Sequence, residues 1–212
     1  MVQRQTIFWD VDTQYDFMRP DGALYVAGAV QIIEKVSNIR KFALDNGYCI
    51  IASADSHSGS DGEISDSPDY RNSFPPHCLE SQPGSERVGY LGELPIESVP
   101  KIPVSDEEVK QMAGREQFHI VIKKDEFDVF SNPNTLRLLE AIRPGKVIVF
   151  GVSLDVCVRY SVEGLLSWGG AGIIVLADAV RSLDVKRGRD ILNDFVKKGV
   201  EVLEFDEVVE FL

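Results

Sequence analysis

Cys157 has the sequence context that most directly suggests covalent chemistry. It follows an apolar, β-branched run from Val147 to Phe150 and lies in a segment, Asp155 to Ser167, with helical spacing of apolar residues. These patterns predict a strand buried on both faces and then a helix with Asp155 as its N-terminal cap. A thiol in the first turn of a helix meets the positive end of the helix dipole, which favours the thiolate. Free backbone N–H groups there could also hold an oxyanion.

Two charged residues at other predicted strand ends could assist a cysteine nucleophile. Asp12 follows a strand predicted over 6–11, and a strand that begins at Phe118 leads to Lys123 and Lys124. A carboxylate can accept the thiol proton, and a nearby ammonium favours the thiolate. Each residue alone also has a simpler interpretation: an inert buried cysteine, an aspartate that caps a turn, or a solvated lysine.

A second group of residues has the donor types of a metal site. Asp55 and His57 form an Asp-x-His pair after a strand predicted over 48–54, and His77 lies in the irregular segment that follows. In an extended segment, residues two apart point to the same side. Mixed carboxylate and imidazole ligands suit Zn, Mn or Fe(II), and Glu63 could ligate directly or hold a ligand water. The alternative is two surface histidines and a turn-forming aspartate.

Four aromatic residues flank these polar candidates. They are Phe17, Phe74, Phe127 and Phe130. Aromatic side chains beside strand ends could line a pocket for a flat, small ligand. Filling of the core beneath a long loop is the alternative interpretation.

The composition excludes several classes of protein. The chain has 212 residues, 44% hydrophobic and 26% charged, which is ordinary for a soluble globular domain. Its net charge of −12 argues against a nucleic-acid partner, which needs a basic face. No apolar run is long enough for a membrane span, and the first residues do not have the architecture of a signal peptide. Three cysteines do not suggest a disulfide framework, so we expect a cytoplasmic protein.

The predicted elements place these candidates on one edge of a sheet. Strands are predicted over 6–11, 48–54, 118–123, 147–150, 173–177 and 200–204, with helices over 30–46, 106–114, 135–142, 155–167, 186–198 and 208–212. Alternating strands and helices predict a single doubly wound α/β domain over 1–212, with helices on both faces of a parallel sheet. The segment 56–116 is predicted to be an irregular insertion, and its length favours a functional role. In such sheets ligands bind beyond the carboxyl ends of the strands, where the strand order reverses.

Four segments also carry motifs that occur together in a known superfamily. They are Asp12-Thr-Gln-Tyr-Asp-Phe17, Asp55-Ser-His57 with Glu63 and Pro-Pro-His77, Lys124-x-x-Phe127-x-x-Phe130, and Gly151-Val-Ser-Leu-Asp-Val-Cys157. Jointly they resemble the cysteine hydrolases that include isochorismatases and nicotinamidases, and within these the metal-binding nicotinamidases. After His77 the chain departs from a Gly-Thr-x-Gly run common in nicotinamidases, and Phe74 replaces a frequent tryptophan.

The resemblance implies a catalytic role for four residues. Asp12 would be the acid/base, Lys124 rather than Lys123 the cation, and Cys157 the nucleophile that forms a thioester. The backbone N–H groups of Ser153 and Cys157 would form the oxyanion hole, and a cis peptide bond would precede Ser153.

The resemblance also implies a cofactor, a fold and a substrate. Asp55, His57 and His77, with Glu63 in some members, would bind one divalent ion (Zn, Mn or Fe) that accepts the pyridine nitrogen of nicotinamide. Phe17 and Phe74 would stack around the ring. The family has a six-stranded parallel sheet between helical layers and often forms homo-oligomers. The substrate would be a small-molecule amide, with no nucleic acid or membrane partner.

Three other functions remain open from the sequence. The chain could hydrolyse another small amide, a carbamoyl compound or isochorismate on the same fold. It could be a metallohydrolase in which a metal-bound water attacks and Cys157 is structural. It could also be a binding protein without catalysis, although the set of Asp12, Lys124 and Cys157 argues against this.

Overall fold

A computed structural model describes residues 6–70 and 72–212 of the chain. Residues 1–5, on which the expectation of no signal peptide rests, and Arg71 of the predicted insertion lie outside the described residues.

The strands are β1 (Thr6–Val11), β2 (Cys49–Asp55), β3 (Ile96–Val99), β4 (His119–Lys124), β5 (Lys146–Val152), β6 (Gly172–Arg181) and β7 (Glu201–Leu203). The α-helices are α1 (Tyr15–Met18), α2 (Ile33–Asp45), α3 (Asp106–Ala113), α4 (Thr135–Ile142), α5 (Cys157–Trp168), α6 (Val185–Lys197) and α7 (Phe205–Val209). Short 3₁₀ helices occupy Ala29–Ile32, Pro83–Ser85 and Val129–Ser131. Of the helices described, none has the length and apolar character needed to cross a bilayer.

The strands form one sheet in the order β3-β4-β2-β1-β5-β6-β7, and every pair is parallel. The predicted doubly wound α/β fold is therefore confirmed, but the sheet has seven strands instead of the expected six. The additional strand is β3, which pairs with β4 at the edge of the sheet and lies in the segment expected to be irregular. Its four residues include Glu97 and Ser98, and only Val99 is buried, so it lacks the apolar run that identified the other strands.

Alternate residues of the central strands fill two separate cores. On β1, Ile7, Trp9 and Val11 pack into the core beneath α3, α4, α5 and α6. Phe8 points the other way, into the core beneath α2 and α7. This alternation follows from the two-residue period of a strand, and burial on both faces explains the near-continuous apolar runs of β1 and β5.

β6 is longer than its apolar run indicates. The sequence predicted that this strand ends before Asp178, whereas it continues to Arg181 with a register shift against β5. Asp178 stays inside the strand because its carboxylate is satisfied there, with Oδ1 accepting from the Phe205 N–H at 3.1 Å and Oδ2 lying 2.8 Å from Lys35 Nζ.

The strand order reverses at β1, which lies between β2 and β5. Asp12 follows β1, and the loop after β5 leads to Cys157 at the start of α5. The two strands approach closely at Gly151, which has φ = 120° and on which a Cβ atom would lie 2.1 Å from the Val11 carbonyl oxygen. A glycine is therefore required at the point where the sheet brings Asp12 and Cys157 together.

Gly151→Ala should destabilise the protein by about 3 kcal/mol or more, because the methyl group overlaps the β1 backbone and the positive φ disfavours a side chain. Gly59→Ala is the matched control, since a Cβ atom there meets no atom within 4 Å. Urea unfolding of both variants measures the difference. Equal stability of the two variants would contradict the close approach described here.

Candidate active site

Cys157 is buried and is the first residue of α5, directly after the loop that leaves β5. This position was predicted, but the cap was not: Asp155 lies outside the helix, and Val156 at the N-cap makes no side-chain capping bond. The Asp155 carboxylate instead accepts from the N–H groups of Leu183 at 2.9 Å and Asp184 at 3.1 Å. It therefore ties the cysteine loop to the segment that follows β6, a contact between residues distant in sequence.

Asp12, Lys124 and Cys157 converge in one buried cluster. The Lys124 ammonium lies 2.9 Å from Asp12 Oδ2 and 3.6 Å from Cys157 Sγ, and all three residues are excluded from solvent. Asp12 Oδ1 accepts from the Ser53 hydroxyl at 2.6 Å, whereas Oδ2 accepts no hydrogen bond of ordinary geometry. One carboxylate oxygen is thus held by Ser53, and the other pairs with the Lys124 ammonium on the side of the cluster that contains the thiol.

Burial controls the protonation of this cluster. Burial raises the pKa of the Cys157 thiol well above its usual value, which is opposite to the thiolate expected at a helix terminus. Burial also raises the pKa of Asp12. Burial opposes the charged form of Lys124, but the carboxylates of Asp12 and Asp55 outweigh it and raise the pKa of the ammonium well above its usual value. The thiol therefore keeps its proton until a base accepts it.

Asp55, His57, Glu63 and His77 form a second cluster, with one possible ligand atom from each within 4.8 Å of the others. His77 Nε2 lies 3.8 Å from Asp55 Oδ2 and 3.6 Å from Glu63 Oε1, and His57 Nε2 lies 3.7 Å from Asp55 Oδ2. Both Nε2 atoms are buried without a hydrogen-bond partner among the described residues. His77 Nδ1 lies 2.8 Å from the Pro75 carbonyl oxygen, to which it can donate its proton, so the lone pair of Nε2 is free to bind a metal ion. Buried, unpaired imidazole nitrogens beside two carboxylates fit a divalent transition-metal ion.

Lys124 connects the two clusters. Its ammonium donates a hydrogen bond to Asp55 Oδ1 as well as contacting Asp12. Burial opposes ionisation of Asp55, but Lys124 and the two neighbouring histidines hold its pKa well below the usual range. Burial and the negative charge of Asp55 raise the pKa of Glu63 to about 7. An added cation would stabilise Glu63 as a carboxylate.

A mostly apolar cavity opens onto both clusters. Its lining residues are Phe17, Leu24, Val26, Asp55, Glu63, Phe74, His77, Phe127, Ser153, Val156, Cys157 and Leu183. Three of the four predicted aromatic residues, Phe17, Phe74 and Phe127, therefore face the same space as the thiol. The Phe17 and Phe74 rings also contact the His77 ring, with centroids 5.5 Å and 6.3 Å away.

Phe130 does not line this cavity, in contrast to the sequence expectation. Its ring stacks on Trp9 with the two planes 9° apart and the centroids separated by 6.3 Å. A Cβ atom on Gly164 of α5 would lie 2.2 Å from the Phe130 ring, so the helix packs directly over it. Phe130 supports the helix that carries Cys157, and no motif in the sequence distinguishes that role from a place in the pocket.

The loop that precedes Cys157 has the backbone geometry implied by the family resemblance. The peptide bond between Val152 and Ser153 is cis. The Ser153 carbonyl oxygen accepts from the N–H groups of Val156 at 3.1 Å and Val158 at 3.0 Å. The N–H of Cys157, as the first helical residue, has no acceptor within its own helix.

Sequence reasoning missed two side chains that hold the site together. The Gln14 amide bonds both backbone groups of Asp55, accepting from its N–H and donating to its carbonyl oxygen, each at 2.8 Å. Asp16 accepts from the Cys78 N–H at 2.7 Å, next to His77. Both lie in the Asp12–Phe17 motif, but their partners lie 41 and 62 residues away, so local patterns carry no signal for these contacts.

A separate buried ion network fastens the insertion to the sheet. Asp10 pairs with Arg40 at 2.7 Å and with Arg87, and these contacts outweigh burial and lower the pKa of Asp10 to about 2. Arg87 Nη1 also lies 2.7 Å from His119 Nε2. Burial and the charge of Arg87 lower the pKa of His119 to about 4, so this third histidine is neutral and belongs to the structural network.

Comparison with known proteins assigns the chain to a family. Residues 7–207 match the isochorismatase domain, so the chain belongs to the isochorismatase family. It is 34% identical over 89 residues to the nicotinamidase/pyrazinamidase of Mycobacterium tuberculosis, a match that spans 42% of this chain and 47% of that relative. The chain thus spans about half the length of this curated relative.

Solved structures share the fold over almost the whole chain. The pyrazinamidase of Pyrococcus horikoshii, solved in complex with zinc, has a TM-score of 0.75 and 24% identity, covering 95% of this chain and 99% of that one. A nicotinamidase from Bacillus subtilis has a TM-score of 0.72 and 21% identity, covering 94% and 99%. The family and the fold implied by the sequence motifs are therefore confirmed.

Gln14→Ala should lower the free energy of unfolding by about 2–4 kcal/mol, since it leaves two buried backbone groups of Asp55 unpaired. It should also weaken divalent-metal binding, because Asp55 loses its backbone support. Gln31→Ala, at an exposed position, is the control and should change stability by about 0.5 kcal/mol or less. Urea unfolding and metal titration test both effects. Normal metal binding in a destabilised Gln14→Ala protein would separate Gln14 from the site.

Proposed function

We propose that the protein is a cysteine amidohydrolase that converts nicotinamide and water to nicotinate and ammonia. One observation carries this proposal. The buried Lys124 ammonium contacts both the nucleophile cluster and the cluster with metal-ligand chemistry. An apolar cavity with aromatic walls opens onto both, as a small planar amide requires. The similarity to nicotinamidases supports the same substrate class.

In the first half-reaction, Asp12 accepts the Cys157 thiol proton as the sulfur attacks the carboxamide carbon. Both groups are buried, and the Lys124 ammonium beside them stabilises the negative charge that passes from carboxylate to sulfur. The tetrahedral oxyanion is placed on the backbone N–H groups of Ser153 and Cys157. Asp12 then returns the proton to the departing nitrogen, which leaves as ammonia, and the acyl group remains on Cys157 as a thioester.

In the second half-reaction, water enters the position vacated by ammonia. Asp12 accepts a proton from this water as its oxygen attacks the thioester carbon, and the same N–H groups hold the second oxyanion. The carbon–sulfur bond breaks, the proton on Asp12 returns to the sulfur, and the carboxylic acid product is released. Asp12 thus moves a proton in both half-reactions.

Asp55, His57, His77 and Glu63 would hold the divalent ion, with Zn, Mn or Fe(II) compatible with the donor set. When bound, the ion supplies a Lewis-acid contact for a ring nitrogen of the substrate. Asp55 also keeps the Lys124 ammonium directed between the clusters. Phe17 and Phe74, whose rings contact His77, would restrict a planar ring to the space facing Cys157.

Ammonia release from a panel of small compounds tests the proposed function. We expect turnover of nicotinamide and pyrazinamide, and no turnover by Cys157→Ala. Carbamoylated small molecules and isochorismate, the latter followed by pyruvate release, represent other family chemistries. Turnover of those compounds without nicotinamide would overturn the substrate assignment, and full activity of Cys157→Ala would overturn the nucleophile.

Asp12→Asn should lower kcat by about 10²–10⁴-fold, because the amide cannot accept the thiol proton. Lys124→Ala should also be severe, and the double variant should lose much less than the product of the two losses, since the residues act as one unit. Lys123→Ala is the matched control, as Lys123 lies outside both clusters. Steady-state kinetics of the four variants measure the coupling, and simple multiplication of the losses would show that Lys124 acts independently of Asp12.

A further inference from the structure

His57 and His77, the two histidines of the proposed metal site, differ in the contacts that orient their rings. His77 has its Nδ1 atom 2.8 Å from the Pro75 carbonyl oxygen, which sets the orientation of its ring. His57 is fully buried, and neither of its ring nitrogens makes a hydrogen bond of ordinary geometry among the described residues. Its Nε2 faces Asp55 Oδ2 at 3.7 Å, and its Nδ1 lies 3.4 Å from a carboxylate outside the cluster, that of Asp61.

Asp61 is itself fixed in place. Its carboxylate accepts from the Ser58 N–H at 2.9 Å and from the Ser58 hydroxyl. Asp61 is therefore a preorganised anion on the side of His57 that faces away from Asp55.

Lys101 links Asp61 to the backbone of the ligand segment. Its ammonium donates to the Ser56 carbonyl oxygen at 2.7 Å, which belongs to the peptide bond between Ser56 and His57. It also lies 3.9 Å from Asp61 Oδ2 and 3.1 Å from Asp125 Oδ2. One side chain from the region after β3 thus steadies both the ligand backbone and the carboxylate beside His57.

We propose that Asp61 is a positioning residue for His57: its carboxylate accepts a hydrogen bond from Nδ1–H, so that the Nε2 lone pair is directed into the metal site. A neutral imidazole carries its proton on one nitrogen, and a carboxylate at Nδ1 selects the tautomer with Nε2 free. This inference rests on the metal site proposed above and adds a residue to it that lies outside the Asp55, His57, Glu63 and His77 group.

Zinc affinity tests the role of Asp61 without any substrate. We expect Asp61→Asn, which keeps the shape and removes the charge, to bind Zn²⁺ about 10- to 100-fold more weakly than the wild-type protein. Asp66→Asn is the matched control, because Asp66 is an exposed acid of the same insertion, and its affinity should equal that of the wild type. Competition with a chromophoric chelator measures each dissociation constant.

The tautomer of His57 gives a second measurement that needs no variant. In zinc-loaded wild-type protein, ¹⁵N NMR should show His57 protonated at Nδ1, with slow exchange of that proton. Protonation at Nε2 would overturn the proposal even if Asp61→Asn failed to fold.

The affinity measurements test the role of Asp61 and the metal site separately. If Asp61→Asn binds Zn²⁺ as tightly as the wild-type protein does, Asp61 does not position His57. The proposed metal site would be unaffected by that result. Failure of the wild-type protein to bind Zn²⁺ overturns both.

Discussion

The structure of the site depends on one buried cation, the ammonium of Lys124. An isolated ammonium in the interior loses several kcal/mol of solvation, so it is stable there only with charged partners of good geometry. Asp12 at the end of β1 and Asp55 at the end of β2 provide those partners, and Lys124 itself ends β4. Since β4, β2 and β1 are adjacent and parallel, their carboxyl ends place the three charges together. Cys157 completes the group from the opposite side of the reversal in strand order.

In the proposed mechanism, the nucleophile loses its proton only as it attacks the substrate. In the resting site the thiol is buried, and burial keeps its proton in place. One oxygen of the Asp12 carboxylate accepts a hydrogen bond from Ser53, and the other lies 2.9 Å from the Lys124 ammonium. The same ammonium that stabilises the emerging thiolate also fixes Asp55 beside the imidazoles. The Lys124 ammonium therefore serves both bond cleavage and substrate positioning in the proposed mechanism.

Much of this site was predictable because its residues follow buried strands. Asp12, Asp55 and Lys124 each come at the end of an apolar run, and parallel strands bring such residues to one edge. β3 was not predictable, since a four-residue edge strand with Glu97 and Ser98 has no buried pattern. The roles of Phe130, Asp155 and Gln14 were hidden for another reason. Their partners lie far along the chain, and only the packing of loops against the sheet brings them into contact.

The most direct test of the account is to identify the atom that carries the acyl group during turnover. Rapid acid quenching of the wild-type protein with nicotinamide, followed by peptide mass spectrometry, measures this. We expect a nicotinoyl adduct on the peptide that contains Cys157. An adduct on Cys49 or Cys78, or rapid turnover with no acyl-enzyme at any time after mixing, would contradict it.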